Sequence, residues 1–163
     1  MIRKKLNIER KIILNITPRT WVRATQGDRI FFRIPRELLK PAGLKRLQRL
    51  EAYNEYKASL YEQSKLKRFD VPEQGLCISF FIPMAKSWKK WKKKQMHMKL
   101  HQNTPDLSNL LKAFEDSLCK QDNFIAHYGE IAKFWVDSEN GWIELTYTES
   151  KYMTLAEPKR TIS

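Results

Sequence analysis

The residues whose chemistry stands out first form a lysine-rich segment with two tryptophans, between positions 86 and 99. Its cations are Lys86, Lys89, Lys90, Lys92, Lys93, Lys94 and Lys99, and Trp88 and Trp91 lie among them. Such lysines neutralise phosphates and release counterions, and an exposed indole can stack on an unpaired base. A solvated charge run whose tryptophans cap the core is the plainer interpretation. We favour nucleic-acid binding, because so dense a run repels itself without a polyanion.

The composition of the whole chain favours the same class of partner. The formal net charge is +13, from 31 Lys and Arg against 18 Asp and Glu in 163 residues. An excess this large on a small domain predicts a polyanionic partner, with nucleic acid ahead of anionic membrane. No apolar run approaches the length of a bilayer span, and the first residues do not resemble a secretory signal. We therefore expect a cytoplasmic protein that does not enter a membrane.

A second group of residues with catalytic potential lies between Thr104 and Phe114. Asp106 follows Pro105 at the start of a helical pattern, and Lys112 lies on the polar face of that pattern. An aspartate that opens a helix is a common N-cap, and a lysine on a polar face is commonly solvated. Taken alone, both residues are explained better by helix structure than by catalysis.

The surrounding helices and strands must position these residues. The pattern of apolar residues and turn signals along the chain predicts one α+β domain over residues 1–150 and a tail over residues 151–163. The predicted order is roughly β-β-α-β-α-β-β, with a mixed sheet and two main helices. The predicted strands cover residues 11–16, 29–34, 76–82, 124–136 and 142–148, and the predicted helices cover residues 41–68 and 106–118.

Three local signals predict how the strands are arranged. The continuous apolar run Leu76–Ile82 is typical of a central strand. The pattern around Gly129 is irregular, which predicts a β-bulge. Asn140-Gly141 predicts a hairpin turn between the last two strands.

The segment 104–114 resembles the motif of RusA-type Holliday-junction resolvases, the endodeoxyribonuclease RusA family. In that motif Pro-Asp-x-Asp-Asn is followed by a helix that carries a lysine, and here the residues read Pro105-Asp106-Leu107-Ser108-Asn109 and then Lys112. Asp122 stands where the family has an acidic residue before the next strand. The resemblance covers roughly residues 76–148 well and the upstream part more loosely, and it implies a RusA-like fold.

The resemblance also implies roles for individual residues. Asp106, Asp122 and Lys112 would be catalytic, and positions 106, 108 and 122 would bind the metal. That metal would be Mg²⁺, with Mn²⁺ as the alternative. In such enzymes carboxylates hold a cation that activates water, and the lysine neutralises charge on the phosphate or the leaving oxygen.

The chain departs from this pattern at Ser108, where the family has its second aspartate. The change removes a full negative charge from the metal site. One explanation is that Asp116 or Glu115 supplies the missing oxygen. Asp116, however, lies ten positions after Asp106, roughly 15 Å along a helix, so we assign it to supporting Lys112. The other explanation is that the protein binds junctions but cleaves them slowly or not at all.

The resemblance therefore predicts a metal-dependent endodeoxyribonuclease that resolves Holliday junctions or other branched DNA in recombination and repair, in a bacterial host or a prophage. A four-way junction has two-fold symmetry, so we expect a homodimer. A non-catalytic nucleic-acid-binding protein on the same scaffold is the alternative. A third hypothesis is an RNA-binding module that uses Trp88 and Trp91 as stacking platforms.

Overall fold

A computed structural model describes residues 3–121 and 123–154, with side chains described for residues 7–121 and 123–150. The strands are β1 (Arg3–Leu14), β2 (Gln74–Pro83), β3 (His127–Val136) and β4 (Trp142–Thr154), and the helices are α1 (Pro41–Leu66), α2 (Lys90–Met96) and α3 (Leu107–Leu118). Two 3₁₀ helices, Gln26–Phe32 and Arg36–Leu38, precede α1. The prediction of a mixed α+β domain with two main helices is confirmed, and α2 is a short additional helix inside the lysine-rich segment.

The four strands form one sheet in the order β1-β4-β2-β3. β2 runs parallel to β3 and antiparallel to β4, so it is hydrogen-bonded on both sides. Its residues Leu76, Ile78 and Phe80 are fully buried, which explains the continuous apolar run. The prediction of a central strand is confirmed. The predicted bulge is confirmed as well, because the register shifts between the pairs Leu76–Tyr128 and Ile78–Ile131, on either side of Gly129.

The outer pair of strands is longer than the sequence pattern predicts. β1 pairs with β4 from Arg3 opposite Thr154 to Leu14 opposite Ile143. The prediction began the first strand at Lys11 and ended the last one at Thr148. Residues 3–10 contain mostly charged or polar residues, which is typical of an edge strand that must not pair with other molecules. Because these residues are not apolar, apolar periodicity does not predict this part of the strand.

The predicted hairpin at Asn140-Gly141 is wrong. β3 and β4 are not paired with each other, because β2 lies between them. The connection crosses the carboxyl end of β2, where the Gly141 amide donates a hydrogen bond to Thr17 Oγ1 at 2.9 Å. A Cβ atom at Gly141 would collide with the carbonyl oxygen of Phe81. The Asn-Gly pair therefore marks a close backbone approach at a crossing.

The predicted strand Arg29–Ile34 is also wrong, because the 3₁₀ helix Gln26–Phe32 occupies most of this segment. Asp28 accepts hydrogen bonds from Arg46 Nε at 2.9 Å and Arg46 Nη2 at 2.7 Å, and it accepts another from the Thr25 amide at 2.7 Å. This buried carboxylate fixes the turn to α1. Long-range pairing thus overrides the β propensity of the sequence RIFFRI.

We expect Asp28→Asn to lower the midpoint of thermal unfolding by several degrees at pH 7, because Arg46 loses its charged partner. The Arg46 guanidinium and the Thr25 amide hold the pKa of Asp28 well below its usual range. The carboxylate therefore stabilises the fold fully above the usual pKa of about 4, and this contribution is lost as the pH falls from there toward the folded-state pKa. Unfolding midpoints of the two proteins, measured between pH 7 and pH 2, should converge at the acidic end. A constant difference across that range would contradict this account.

α1 and α3 pack together and place their apolar faces in the same core as the sheet. Leu110 and Phe114 of α3 and Leu60 of α1 are fully buried beside Leu14 and Leu145 of the sheet. The two helices predicted over residues 41–68 and 106–118 are confirmed close to these bounds. Within the described residues, no helix is both long and apolar enough to cross a membrane.

Candidate nuclease site and nucleic-acid surfaces

Asp106 occupies the N-cap position of α3, in extended backbone geometry with φ −66° and ψ 140°. Its side chain makes no capping hydrogen bond, and the residue is exposed. The helix therefore does not use this carboxylate to satisfy its first N–H groups, although an aspartate at this position commonly does so. The carboxylate is accessible to a ligand from solvent, beside the favourable field of a helix N-terminus.

The chain that leads into Asp106 is held by Lys133 of β3. The Lys133 ammonium donates hydrogen bonds to the carbonyl oxygens of Asn103 and Pro105, the latter at 2.6 Å. Lys133 is half-buried, and sequence analysis assigned it no role. This contact ties the start of α3 to the sheet. The contacts of Lys133 with backbone carbonyl oxygens depend on the fold, so the sequence alone did not predict this role.

Ser108, Lys112 and Asp116 lie four residues apart along α3 and so share one face of the helix. The Lys112 Nζ atom lies 3.3 Å from Asp116 Oδ1. Asp116 Oδ2 also accepts a hydrogen bond from the Tyr53 hydroxyl at 3.4 Å. Burial, and then the Asp116 charge, raise the pKa of Tyr53, so its hydroxyl stays protonated as a donor. The predicted contact between Asp116 and Lys112 is therefore present.

Glu115 faces another part of the fold. It accepts a hydrogen bond from the Tyr128 hydroxyl of β3 at 2.8 Å. Two carboxylates were considered as substitutes for the missing one at position 108. Both have other partners, because Asp116 contacts Lys112 and Tyr53, and Glu115 bonds to Tyr128 of β3. The Ser108 residue itself is exposed, and its hydroxyl is a neutral oxygen.

Asp122, the remaining predicted ligand, lies outside the described residues. Within residues 3–121 and 123–154, no group of three or more His, Cys, Asp or Glu side chains is placed to hold a metal. The oxygen donors of the predicted set that are described are the Asp106 carboxylate and the Ser108 hydroxyl. Mg²⁺ is commonly bound through one or two carboxylates together with several waters. These hard oxygen donors therefore fit a partly hydrated Mg²⁺.

The lysine-rich segment forms the short helix α2 and its flanks. Lys86, Lys89, Lys90, Lys94 and Lys99 are exposed, whereas Lys92 and Lys93 are half-buried. The Lys93 Nζ atom lies 4.0 Å from Asp137 just after β3. Most of the predicted cations thus face solvent at the carboxyl end of β3, as a polyanion surface requires.

The two tryptophans of this segment have different environments. Trp88 packs on Trp135 with ring centroids 4.9 Å apart, and the Lys92 ammonium lies 4.0 Å from the Trp88 ring centroid. Trp91, in contrast, is 64% exposed. The core-capping interpretation describes Trp88, and base stacking on an exposed ring is open to Trp91 alone.

After α2 the chain follows the outer edge of β3 back toward Asp106. The Met98 amide donates to the Trp135 carbonyl at 2.8 Å, and the His101 amide donates to the Lys133 carbonyl at 2.9 Å. His101 is buried against Trp135, and burial and the nearby Lys133 lower its pKa. His101 is therefore a neutral structural residue. The lysine-rich segment and the Asp106 loop are bound to the same strand.

A basic groove that sequence analysis missed opens between α1 and residues 18–22. It has a volume of about 800 Å³, and Thr104 and Pro105 form part of its wall. Its cations are Arg19, Lys45 and Arg49, all exposed. The sequence signal that could have predicted this groove is the spacing of Lys45 and Arg49, which are four residues apart on the polar face of α1. The groove brings positive charge to the residue that precedes Asp106.

Fold and site together define a basic α+β domain in which an exposed carboxylate at a helix start adjoins cationic surfaces, an arrangement suited to processing nucleic acid. The sequence model of the family described as endodeoxyribonuclease RusA matches residues 43–141, more than half of the chain. The chain belongs to this family, which confirms the resemblance carried by residues 104–114. The match begins in α1, upstream of the part that resembled the family best. No significant match was found among curated protein sequences.

Proposed function

We propose that the protein is a metal-dependent endonuclease that nicks four-way DNA junctions. The observation that carries this proposal is the Asp106 carboxylate, which is exposed at the start of α3 and not used as a cap, within the segment matched by the family. The basic groove beside Pro105 and the exposed lysines around α2 support DNA as the partner.

In this proposal each predicted site residue has its own role in binding the metal or stabilising the phosphate. Asp106 and Asp122 would hold Mg²⁺ or Mn²⁺, and Ser108 would contribute a neutral oxygen. When bound, the metal supplies an activated water and Lewis-acid stabilisation of the phosphate. The Lys112 ammonium would neutralise charge that develops on the phosphate or the leaving oxygen. Asp116 contacts the Lys112 ammonium and accepts from the Tyr53 hydroxyl, which positions the lysine along α3.

Paired cleavage of a junction requires two active sites. A junction has two-fold symmetry, and a symmetric homodimer presents two copies of one site across that axis. We propose this state for the active protein. Sedimentation or light scattering with and without a junction measures it, and a single protomer per junction at saturation contradicts it.

A junction-binding protein that does not cleave is the second candidate, and Ser108 favours it. The hydroxyl carries no charge, while Glu115 bonds to Tyr128 and Asp116 contacts Lys112. No described carboxylate on α3 is therefore placed to replace the missing one. The affinity of the site for a divalent cation should be correspondingly low.

Restoring the missing charge separates the two candidates. We expect Ser108→Asp to raise junction cleavage at limiting Mg²⁺ by about tenfold or more, because a second carboxylate strengthens the binding of a hard cation. The measurement is a titration of the cleavage rate against Mg²⁺, with Ser117→Asp as a charge-matched control near the other end of α3. An unchanged rate and midpoint in a folded, junction-binding Ser108→Asp protein would show that position 108 is not a ligand.

A further inference from the structure

The basic groove between α1 and residues 18–22 has two chemically distinct parts. Its floor is apolar and includes Val22, Ile82 and the buried Tyr53. Its rim carries the exposed cations Arg19, Lys45 and Arg49. Among the described residues that line the groove, none is acidic. An apolar floor under a cationic rim complements a nucleotide, whose base is flat and weakly polar and whose phosphates are anionic.

The dimensions and location of the groove agree with that ligand. Its volume of about 800 Å³ lies in the usual range for small-molecule sites. Thr104 and Pro105 line it, so it ends beside the loop that leads to Asp106. A strand whose phosphate lies at Asp106 would therefore pass next to the groove.

We propose that this groove binds an unpaired nucleotide of the DNA strand that enters the site, with the base on the apolar floor and the flanking phosphates at Arg19, Lys45 and Arg49. The inference rests on the proposed action on branched DNA, in which bases at the branch point can leave the stack. It assigns single-strand recognition to a surface distinct from the lysine-rich segment. The exposed lysines around α2 then bind duplex arms through phosphates alone.

Binding to matched single strands tests the base-binding part. Affinities of a labelled oligothymidylate and an abasic strand of the same length are measured by fluorescence anisotropy in EDTA. We expect the oligothymidylate to bind about fivefold tighter or more, which is the lower end of the contribution of one stacked base. Equal affinities for the oligothymidylate and the abasic strand overturn the proposal. If an oligouridylate of the same length binds tighter than the oligothymidylate, the assignment of the groove to DNA is wrong.

One charge reversal in the groove and one at the end of α1 test where the single strand binds. We expect Arg49→Glu to weaken single-strand binding by about tenfold and to reduce its salt dependence by roughly one phosphate contact. Lys67→Glu is the control, because Lys67 is exposed at the end of the same helix, about 27 Å from Arg49 along its axis. Equal losses in the two variants contradict a site in the groove.

Photocrosslinking of the wild-type protein locates the base directly. With a strand that contains 4-thiothymidine, we expect crosslinked peptides from residues 18–22 or 48–53. Crosslinks confined to Trp91 and its neighbours would assign the base to the lysine-rich segment instead. These binding tests require no cleavage, so an inactive protein that crosslinks in the groove refutes only the proposed nuclease. A nuclease that crosslinks elsewhere refutes only the groove.

Discussion

Asp106→Asn is expected to reduce junction cleavage by about 10³-fold, the equivalent of roughly 4 kcal/mol in the barrier, because it removes the one described carboxylate that the proposed function assigns to the metal. The fold should be unaffected. The Asp106 side chain makes no capping hydrogen bond, and asparagine is as good an N-cap residue as aspartate. Junction binding in EDTA should stay equal or become slightly tighter, since one negative charge near the DNA is lost.

The measurement compares single-turnover cleavage rates at saturating protein with dissociation constants measured in EDTA. Glu139→Gln is the matched control, because Glu139 is an exposed acid in the loop before β4, remote in sequence from α3. Cleavage by Asp106→Asn within a few-fold of the wild-type rate would remove Asp106 from the catalytic site. A parallel loss of cleavage in Glu139→Gln would attribute the effect to general charge.

Lys133→Met should lower cleavage by about 10²-fold, although Lys133 contacts neither metal nor substrate in this account. Its ammonium holds the carbonyl oxygens of Asn103 and Pro105, and losing this anchor lets the start of α3 move. A displacement of about 1 Å at a reacting group can cost this much in rate. The Mg²⁺ concentration at half-maximal cleavage should rise, while the dissociation constant for the junction changes little.

Lys133→Arg provides the control for the positioning role of Lys133, because a guanidinium can also donate to two carbonyl oxygens. We expect it to restore most of the activity and the Mg²⁺ midpoint. Unfolding midpoints of both variants separate positioning from general stability. An Lys133→Met protein with the wild-type Mg²⁺ midpoint, or an Lys133→Arg protein as impaired as Lys133→Met, would contradict a positioning role.

The parts of the fold that sequence predicted are those with a strong local pattern. The apolar face of α3, the long α1 and the continuous apolar strand β2 are all present close to their predicted bounds. In each of them the pattern of apolar residues in the sequence agrees with the observed burial. The family motif in residues 104–114 was found for a related reason, since its residues are close together in the chain.

The errors arose where long-range contacts decide the structure. Asn140-Gly141 signals a sharp reversal, but only the fold shows that β4 pairs across β2 and not with β3. The sequence RIFFRI is rich in β-branched and aromatic residues, which favour a strand. The pairing of Asp28 with Arg46 of α1 nevertheless fixes it as a 3₁₀ helix. β1 was predicted too short because its charged half is stabilised by pairing with β4 alone.

The candidate site shows the same division. Asp106 and Lys112 were predicted from a contiguous motif, whereas the groove combines α1 with residues 18–22 and the loop at Pro105. Lys133 donates to backbone carbonyl oxygens in the loop before Asp106, and these contacts are seen only in the fold. Trp88 and Trp91 look equivalent in sequence, and only packing against Trp135 distinguishes them.

The central claim is tested most directly by mapping the cuts in a four-way junction whose strands are labelled one at a time, in Mg²⁺, Mn²⁺ or EDTA. We expect paired nicks at symmetric positions in two opposing strands with either metal, none in EDTA, and none from Asp122→Asn. That result would establish a junction nuclease that tolerates serine at position 108. Tight junction binding without a nick in either metal would contradict the claim and leave a junction-binding protein on a nuclease scaffold.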